Sequence, residues 1–559
     1  MILQDKRLKM TFKSFTLLSL LFLAAFAAFD PVELQADDIE LIAATTVEQS
    51  ALTFADGPAT RFGNTVNGRT HQQSPLKTYR GWQYVTFFDS ERRVCIGRRR
   101  LQDRTWDVIH FSDHKFKTND SHNTAVIGIC DKDGTIHMAF DHHASQLNYR
   151  FSKPGAAHRP ETVEWNADVF SKVVHRLGSV KAHEKVTYPR FFPTASGDLM
   201  LYYRSVTSGN GDGMIEKYDG YKHDYIRGLG KFISRDIGTY RANGKTSLFR
   251  CPYMNSLSYA GKRLHASWIW RDRFEKTSST NQHDLCYVYS DDDGRSWRNS
   301  DGKVIGQTGK EFIHLNSPGL VVAPIAIGVR LSNQNTHYAY PDGRVHIMVL
   351  QQVKTVNDRR FVHYWRTSEG KWNHEVLPFS GGRPKLVGAE DGSLILVSES
   401  GNRLLIAVGE PNARKTNWNW TNVKLPQPHP VYGEAVLDLQ RWEQDCVLSI
   451  YSQLPPPREI KTTRSNPVDG IPSPLNVVDY RFKNFRPVSD RKTEQSIRRW
   501  TDVTGEFSVD AVLFGVKEGN VAIRKKDGSF SVVPMHNFSN ADQEYIRNAI
   551  ANNRKLLRD

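Results

Sequence analysis

The sequence predicts an all-β protein: a seven-bladed β-propeller followed by a small C-terminal β module. Three observations predict it. A turn followed by a mostly apolar strand recurs seven times, an Asp-box turn falls inside one of the repeats, and the sequence texture changes after two proline-rich stretches. Repeated hairpins of this kind cannot each bury a face alone, so neighbouring units must stack.

The seven segments come in chain order. They are "GWQYVTFFD" from Gly81, "DGTIHMAFD" from Asp133, "GDLMLYYR" from Gly197 and "GKRLHASWIWR" from Gly261, then "DGRVHIMVLQ" from Asp342, "DGSLILVSES" from Asp391 and "QDCVLSIYSQ" from Gln444. Gly or Asp-Gly before a β-rich run punctuates hairpins. A further strand is expected upstream of most of them, in "SHNTAVIGIC", "VTYPRFFP", "CPYMNSLSY", "NQNTHYAY", "GRPKLVGAE" and "YGEAVLDLQRW". A third follows in "LNYRFS", "DLCYVYS" and "FVHYWRTSEGKW". "SDDDGRSW" at 290–297 fits the Asp-box pattern S-x-D-x-G-x-x-W, a recurrent propeller hairpin. The propeller is therefore placed over residues 50–480. A stacked β-sandwich would not explain seven equivalent hairpins.

"SQLPPPREI" and "NPVDGIPSPLN" read as a linker. From Thr493 short alternating strands are punctuated by "EGN" and "KDG", and "SNADQEYI" reads as a capped short helix. The features "RRWTD", "DAVLFGVKEGNVAIRKKDG" and the closing "FSNADQEYI" resemble the Sla homology domain, a small SH3-like β module, over 493–556. Phe538 stands where that family usually has leucine.

Composition bounds the partners. The 559 residues are 39% hydrophobic and 11% aromatic, as in a globular strand-rich protein, and the formal net charge is +15. That charge favours an anionic partner. Lys6, Arg7, Lys9 and Lys13 precede the apolar run "FTLLSLLFLAAFAAF", which reads as a secretory signal over 1–36. The run is short for a full membrane span. A secreted or periplasmic location follows, with no membrane association after cleavage. An exported protein has little access to nucleic acid, so an extracellular polyanion is the expected partner. Cys95, Cys130, Cys251, Cys286 and Cys446 are few and widely spaced, and imply no disulfide framework.

Blade geometry then gathers residues. The start of a first strand and the end of the antiparallel second strand emerge on one face. That face collects His122 and His143 from blade two, Tyr188 and Arg204 from blade three, and Tyr253 and Arg271 from blade four. Asn335 of blade five and Arg383 of blade six join them. His142 and His143 alternate, so only one points at the channel. His137, His265 and His346 share one mid-strand position and read as structural repeats. Singly, each residue also fits a packing or solvated role; together they form a candidate site.

No paired-carboxylate motif, G-x-S-x-G elbow or HExxH accompanies the cluster. Histidine, tyrosine and arginine suit β-elimination at a uronic acid. Arg204 neutralises the carboxylate and acidifies the C5 proton. Tyr188 or a histidine removes that proton, and the other protonates the leaving oxygen at C4. No cofactor is required for this chemistry.

"DSHN", "IGICDKDGTIHMAFDHHASQLNYRFS", "VTYPRFF", "YYRS", "GKRLHASWIWRD" and "HDLCYVYSDDDGRSW" resemble the BNR-repeat propellers that include ulvan lyases, over most of 70–400. The resemblance implies a site of His122, His143, Tyr188 and Arg204. It implies cleavage between rhamnose 3-sulfate and a uronic acid, with Asn123 and Tyr253 contacting sugar. Related propellers include rhamnosidases acting on rhamnose–glucuronate links, so hydrolysis is one alternative and polysaccharide binding without catalysis is another. A structural zinc is an expectation at His265, Cys286 and His337, residues that equally suit a buried thiol between packed imidazoles.

Overall fold

Among the described residues, seven sheets of three or more strands follow one another between Ile39 and Phe482. The computed structural model describes residues 38–552 except 55–64, 70–73, 275–279, 356, 428, 457–470, 489–497, 518 and 526–528. The expected signal segment, 1–36, lies outside the described residues.

The first sheet pairs Leu76–Tyr79, Trp82–Phe88, Arg93–Arg100 and Asp107–Lys115, all antiparallel. The second has Ala125–Ile129, Ile136–Phe140 and Tyr149–Phe151. The third begins with Val186–Pro193 and Leu199–Ser205, and the fourth with Phe249–Ala260 and Arg263–Arg273. The fifth opens with Thr336–Ala339 and the sixth with Lys385–Gly388. In the seventh, Val436–Leu437, Val447–Gln453 and Ile471–Phe482 are completed by Ile39–Thr53 as the outer strand. The sheet body therefore starts before residue 50, because the first strand pairs with the last.

Each sheet shares an apolar core with the next. Val85 and Phe87 of the first even pack with Val436, Tyr451 and Leu475 of the seventh. Polar groups cross the same seam. Gln83 Nε2 donates to Asp438 Oδ2 at 3.0 Å and Ser449 Oγ at 2.8 Å, and Arg99 pairs with Asp479 at 2.8 Å. Both partners of that ion pair are buried, so loss of either would leave a charge stranded.

The stretch "YGEAVLDLQRW" is not one strand. Only Val436–Leu437 is extended, and Leu439–Asp445 is a helix. Asp438 accepts from the Arg441 N–H as its N-cap, and Cys446 closes it in the left-handed region at φ 51°. The capping signal outweighed the apolar run.

The Asp box is built by its own side chains. Ser290 Oγ accepts from Gly294 N at 2.8 Å, and Asp292 accepts from the Ser296 N–H at 2.8 Å. This folds Trp297 into the core, where it stacks on Phe232 with centroids 4.7 Å apart. His137, His265 and His346 each hydrogen-bond a residue of the third strand in their own sheet: Tyr149, Tyr287 and His363.

The C-terminal module pairs Arg498–Thr501, Ser508–Lys517, Asn520–Lys525 and Phe530–Pro534 and ends in the helix Asn540–Asn552. Trp500, Leu513, Phe538 and Ile546 form its core. Ser539 Oγ accepts from the Asp542 N–H, and the Asp542 carboxylate in turn receives the Thr501 N–H at 2.8 Å. No helix among the described residues is long and apolar enough to cross a membrane.

Candidate active site

The sequence Asp120-Ser121-His122 enters the second sheet through a turn. The Asp120 carboxylate accepts from the His122 backbone N–H at 3.0 Å and from Nδ1 of the same residue at 2.5 Å. Its other oxygen accepts from His143 Nδ1 at 2.7 Å. One carboxylate thus fixes two imidazoles, whose rings stack with centroids 4.2 Å apart. Since a carboxylate only accepts, each ring turns an Nδ1–H toward it.

His143 reaches this position differently from the hairpin-end reading. The second strand ends at Phe140, and the chain then turns through left-handed backbone at Asp141 and Ala144. His143–Ser145 pairs instead with the third sheet, His143 opposite Thr187. His142 faces the other way, fully buried, with Nε2 against the Asn148 carbonyl at 3.2 Å.

Tyr188 sits at a register shift between Thr187 and Arg190, with φ 55°. Left-handed backbone is unusual for tyrosine, and strain and bulges of this kind re-aim side chains at functional sites. The ring lies 5.8 Å from that of His122. Arg204, opposite Thr187 on the next strand, places its guanidinium carbon 4.9 Å from the Tyr188 centroid and 5.2 Å from the Tyr253 centroid. Arg204 is 1% exposed, and its Nε and Nη2 have no hydrogen-bond partner. Nη1 reaches Cys251 Sγ at 4.0 Å, and the Tyr253 hydroxyl also interacts with the guanidinium. A buried guanidinium so poorly satisfied is costly unless an anion joins it.

The environments set the protonation states. Burial pushes the His122 imidazole down to about 4, only partly offset by Asp120, so the ring is neutral near pH 7. Burial likewise pushes the Tyr188 phenol well above its usual range, with Tyr253 adding to the rise, despite the opposing charges of Arg204, Arg271 and Arg383. Tyr188 is therefore a neutral phenol at rest, and the lowered pKa that a tyrosine base needs is not found. Burial opposes the Arg204 charge but the surrounding groups offset it, and the guanidinium, intrinsically a very weak acid, stays charged. Asp120 stays ionised because both imidazoles donate to it, against the opposing effect of burial.

Arg271 Nη1 donates to Tyr253 OH at 2.6 Å and to Ser208 Oγ at 3.0 Å. These three residues and His122 line a basin of 870 Å³ with Arg69, Gln282, Arg330, Arg359, Arg383 and Glu434. Five of the lining residues are arginines and one is acidic, which suits a polyanion. Arg383 is anchored by Glu434 at 2.6 Å and by Asn333.

Two expected residues take other roles. Asn335 is fully buried, donates to the Ser332 carbonyl at 2.6 Å and accepts from Leu350 N; it holds a loop and does not line the basin. Asn123 donates to Asp141 Oδ1 at 2.6 Å while its own Oδ1 is unpartnered. The expected zinc ligands are also separated. His337 bonds Ser258 and Ser267, and His265 bonds Tyr287, on one side of the fourth sheet. Cys286 packs with Trp268 and Trp270 in the core of the other side. Trp268, the cross-strand partner of Cys286, lies three positions after His265, an odd offset, so strand alternation puts them on opposite faces.

Asp120, Ser208, Gln282, Arg69, Arg330 and Arg359 escaped the sequence reading. The Asp-x-His spacing around Asp120 was the one local signal; the others sit on loops or edges whose convergence only the fold reveals.

The BNR repeat-containing family model matches residues 82–379, and the SLA1 homology domain 1 model matches 489–553. A long-isoform ulvan lyase of Alteromonas sp. is 25% identical over 267 residues, 41% of this chain and 26% of that protein. A short-isoform ulvan lyase of Alteromonas sp. (strain LOR) is 24% identical over 271 residues, 41% of this chain and 50% of that protein. The chain thus matches between about a quarter and a half of the length of these relatives. The crystal structure of polysaccharide lyase Uly1 superposes with a TM-score of 0.61 at 17% identity, covering 79% of this chain and 100% of that one. A PL25 ulvan lyase bound to -[GlcA(1-4)Rha3S]- gives a TM-score of 0.54 at 10% identity, covering 77% and 95%. At these identities the likeness is one of fold.

Proposed function

The chain belongs to the BNR repeat-containing family, and from that premise we propose that it is a polysaccharide lyase cleaving an ulvan-like chain of sulfated rhamnose and uronic acid. We read the seven sheets as blades of one propeller, their shared cores running from the first to the seventh and back. The observation that carries the function is Arg204: a buried guanidinium with two unpartnered nitrogens, beside a neutral imidazole and a neutral phenol.

The chemistry follows from those states. The substrate carboxylate pairs with Arg204, which supplies the missing partner and stabilises charge developing toward the enolate. His122, with Nδ1–H held by Asp120, takes the C5 proton on Nε2. Tyr188, a neutral phenol, gives its proton to the O4 leaving oxygen as the C4–O4 bond breaks. The electron pair of the C5–H bond becomes the C4–C5 double bond, so the product carries an unsaturated uronyl end. Elimination spares the site a hydrolytic water and a second carboxylate. The arginines of the basin suit flanking sulfate and carboxylate groups. Export before action fits the basic, apolar N-terminal run.

Incubation with ulvan tests the reading. New ultraviolet absorbance and oligosaccharides one water lighter than hydrolysis products are expected. Saturated products would reassign the chain as a hydrolase, and retention without products as a binding protein.

A further inference from the structure

A second cluster lies away from the basin, where the first sheet meets the outer strand of the seventh. Cys95 and His110 are direct cross-strand partners, with Sγ and Nδ1 3.3 Å apart. Asp89, at the end of Trp82–Phe88, brings Oδ2 within 2.9 Å of the same Nδ1. The three ligand atoms all lie within 4.8 Å of one another. Asp89 and Cys95 are buried, and the His110 side chain is 31% exposed, so the cluster has a way in from solvent.

A second carboxylate acts on the far side of the ring. Glu48, from Ile39–Thr53, lies 3.6 Å from His110 Nε2. It stands where metal-bound histidines usually find the carboxylate that orients them. Arg93 now occupies Asp89, with Nε 2.7 Å from Oδ2, but its Nη1 also reaches Glu91 at 3.2 Å, so it has an alternative anion.

We propose that Asp89, Cys95 and His110 bind a thiophilic divalent cation of the zinc class, with Glu48 orienting the histidine and a fourth position open to water. Three protein ligands of mixed S, N and O type with one open position fit tetrahedral zinc. Binding releases the Cys95 thiol proton, because the thiolate is the ligand, and turns Arg93 from Asp89 to Glu91. The cation would tie the first sheet to the outer strand of the seventh through Glu48.

The full chain, stripped with a chelator, is titrated with Co²⁺ as a spectroscopic zinc substitute and with Zn²⁺ against a chromogenic chelator. One equivalent, with a thiolate-to-cobalt charge-transfer band, is expected. Cys95→Ser should abolish the band, and His110→Gln should weaken Zn²⁺ binding by at least about tenfold. Glu48→Gln should weaken it on the order of tenfold. The chain holds four other cysteines, Cys130, Cys251, Cys286 and Cys446, so the location is decided by the variants. Absence of binding, or a band and affinity unchanged in both Cys95→Ser and His110→Gln, overturns the proposal. Neither result bears on the lyase reading.

Discussion

The imidazoles of His122 and His143 stack 4.2 Å apart because both donate from Nδ1 to the one carboxylate of Asp120. The carboxylate therefore chooses the tautomer of the proposed base. Asp120→Asn keeps the shape but can donate as well as accept, so it permits the wrong tautomer. A loss in kcat of about 10²-fold or more is expected on ulvan, with an unchanged circular dichroism spectrum.

Tyr188→Phe removes only the phenolic proton and keeps the ring beside Arg204. The expected result is a kcat lowered by about 10²–10³-fold with substrate retention preserved on affinity electrophoresis. Equal loss of retention and rate would assign Tyr188 to binding.

Arg204→Lys tests the buried guanidinium. A lysine keeps the charge but loses the planar fork and its contacts with Tyr188 and Tyr253. A drop in kcat/KM of about 10²-fold is expected, from initial rates at subsaturating ulvan.

Acid should both silence and loosen the protein. His122 and His142 are pushed by burial down to about 4, and His137 and His337 down to about 3. The unfolded chain takes up protons near 6.5 while the folded chain resists, so more protons bind to the unfolded state between these values. Stability is complete above about pH 6.5 and declines as pH falls toward 4 and then 3. Melting temperatures across this range should show that slope, and kcat/KM should fall with an acid limb near 4 as His122 is protonated.

Trp297→Ala should cost about 3–5 kcal/mol in urea unfolding, since it empties a fully buried aromatic site. Asp292→Ala should cost less, because it removes turn bonds and leaves the indole in place.

The strand repeats were legible because turn residues and apolar runs alternate locally, and the Asp box wrote its own hairpin at Ser290–Trp297. The helix Leu439–Asp445 was not, since its apolar residues mimic a strand and only the cap at Asp438 marks it. At the site, His122, Tyr188, Arg204, Tyr253 and Arg271 could be gathered by reasoning about strand ends. Asn335 could not be judged that way, because its contacts to Asn255 and Leu350 come from chain segments that sequence does not align. The bulge that turns Tyr188 and the crossing of His143 to the third sheet depend on local backbone twist, which no residue pattern announces.

The outer position of Ile39–Thr53 has a temporal consequence. Its hydrogen-bonding partner, Ile471–Phe482, leaves the ribosome more than four hundred residues later. Ile39–Thr53 bridges the first sheet at Ala51 and Asp89 early, but its ladder partner comes only near the end of synthesis. Pairing across so long a stretch of chain makes completion of the seventh sheet a slow, late step that leaves the segment open to chaperones.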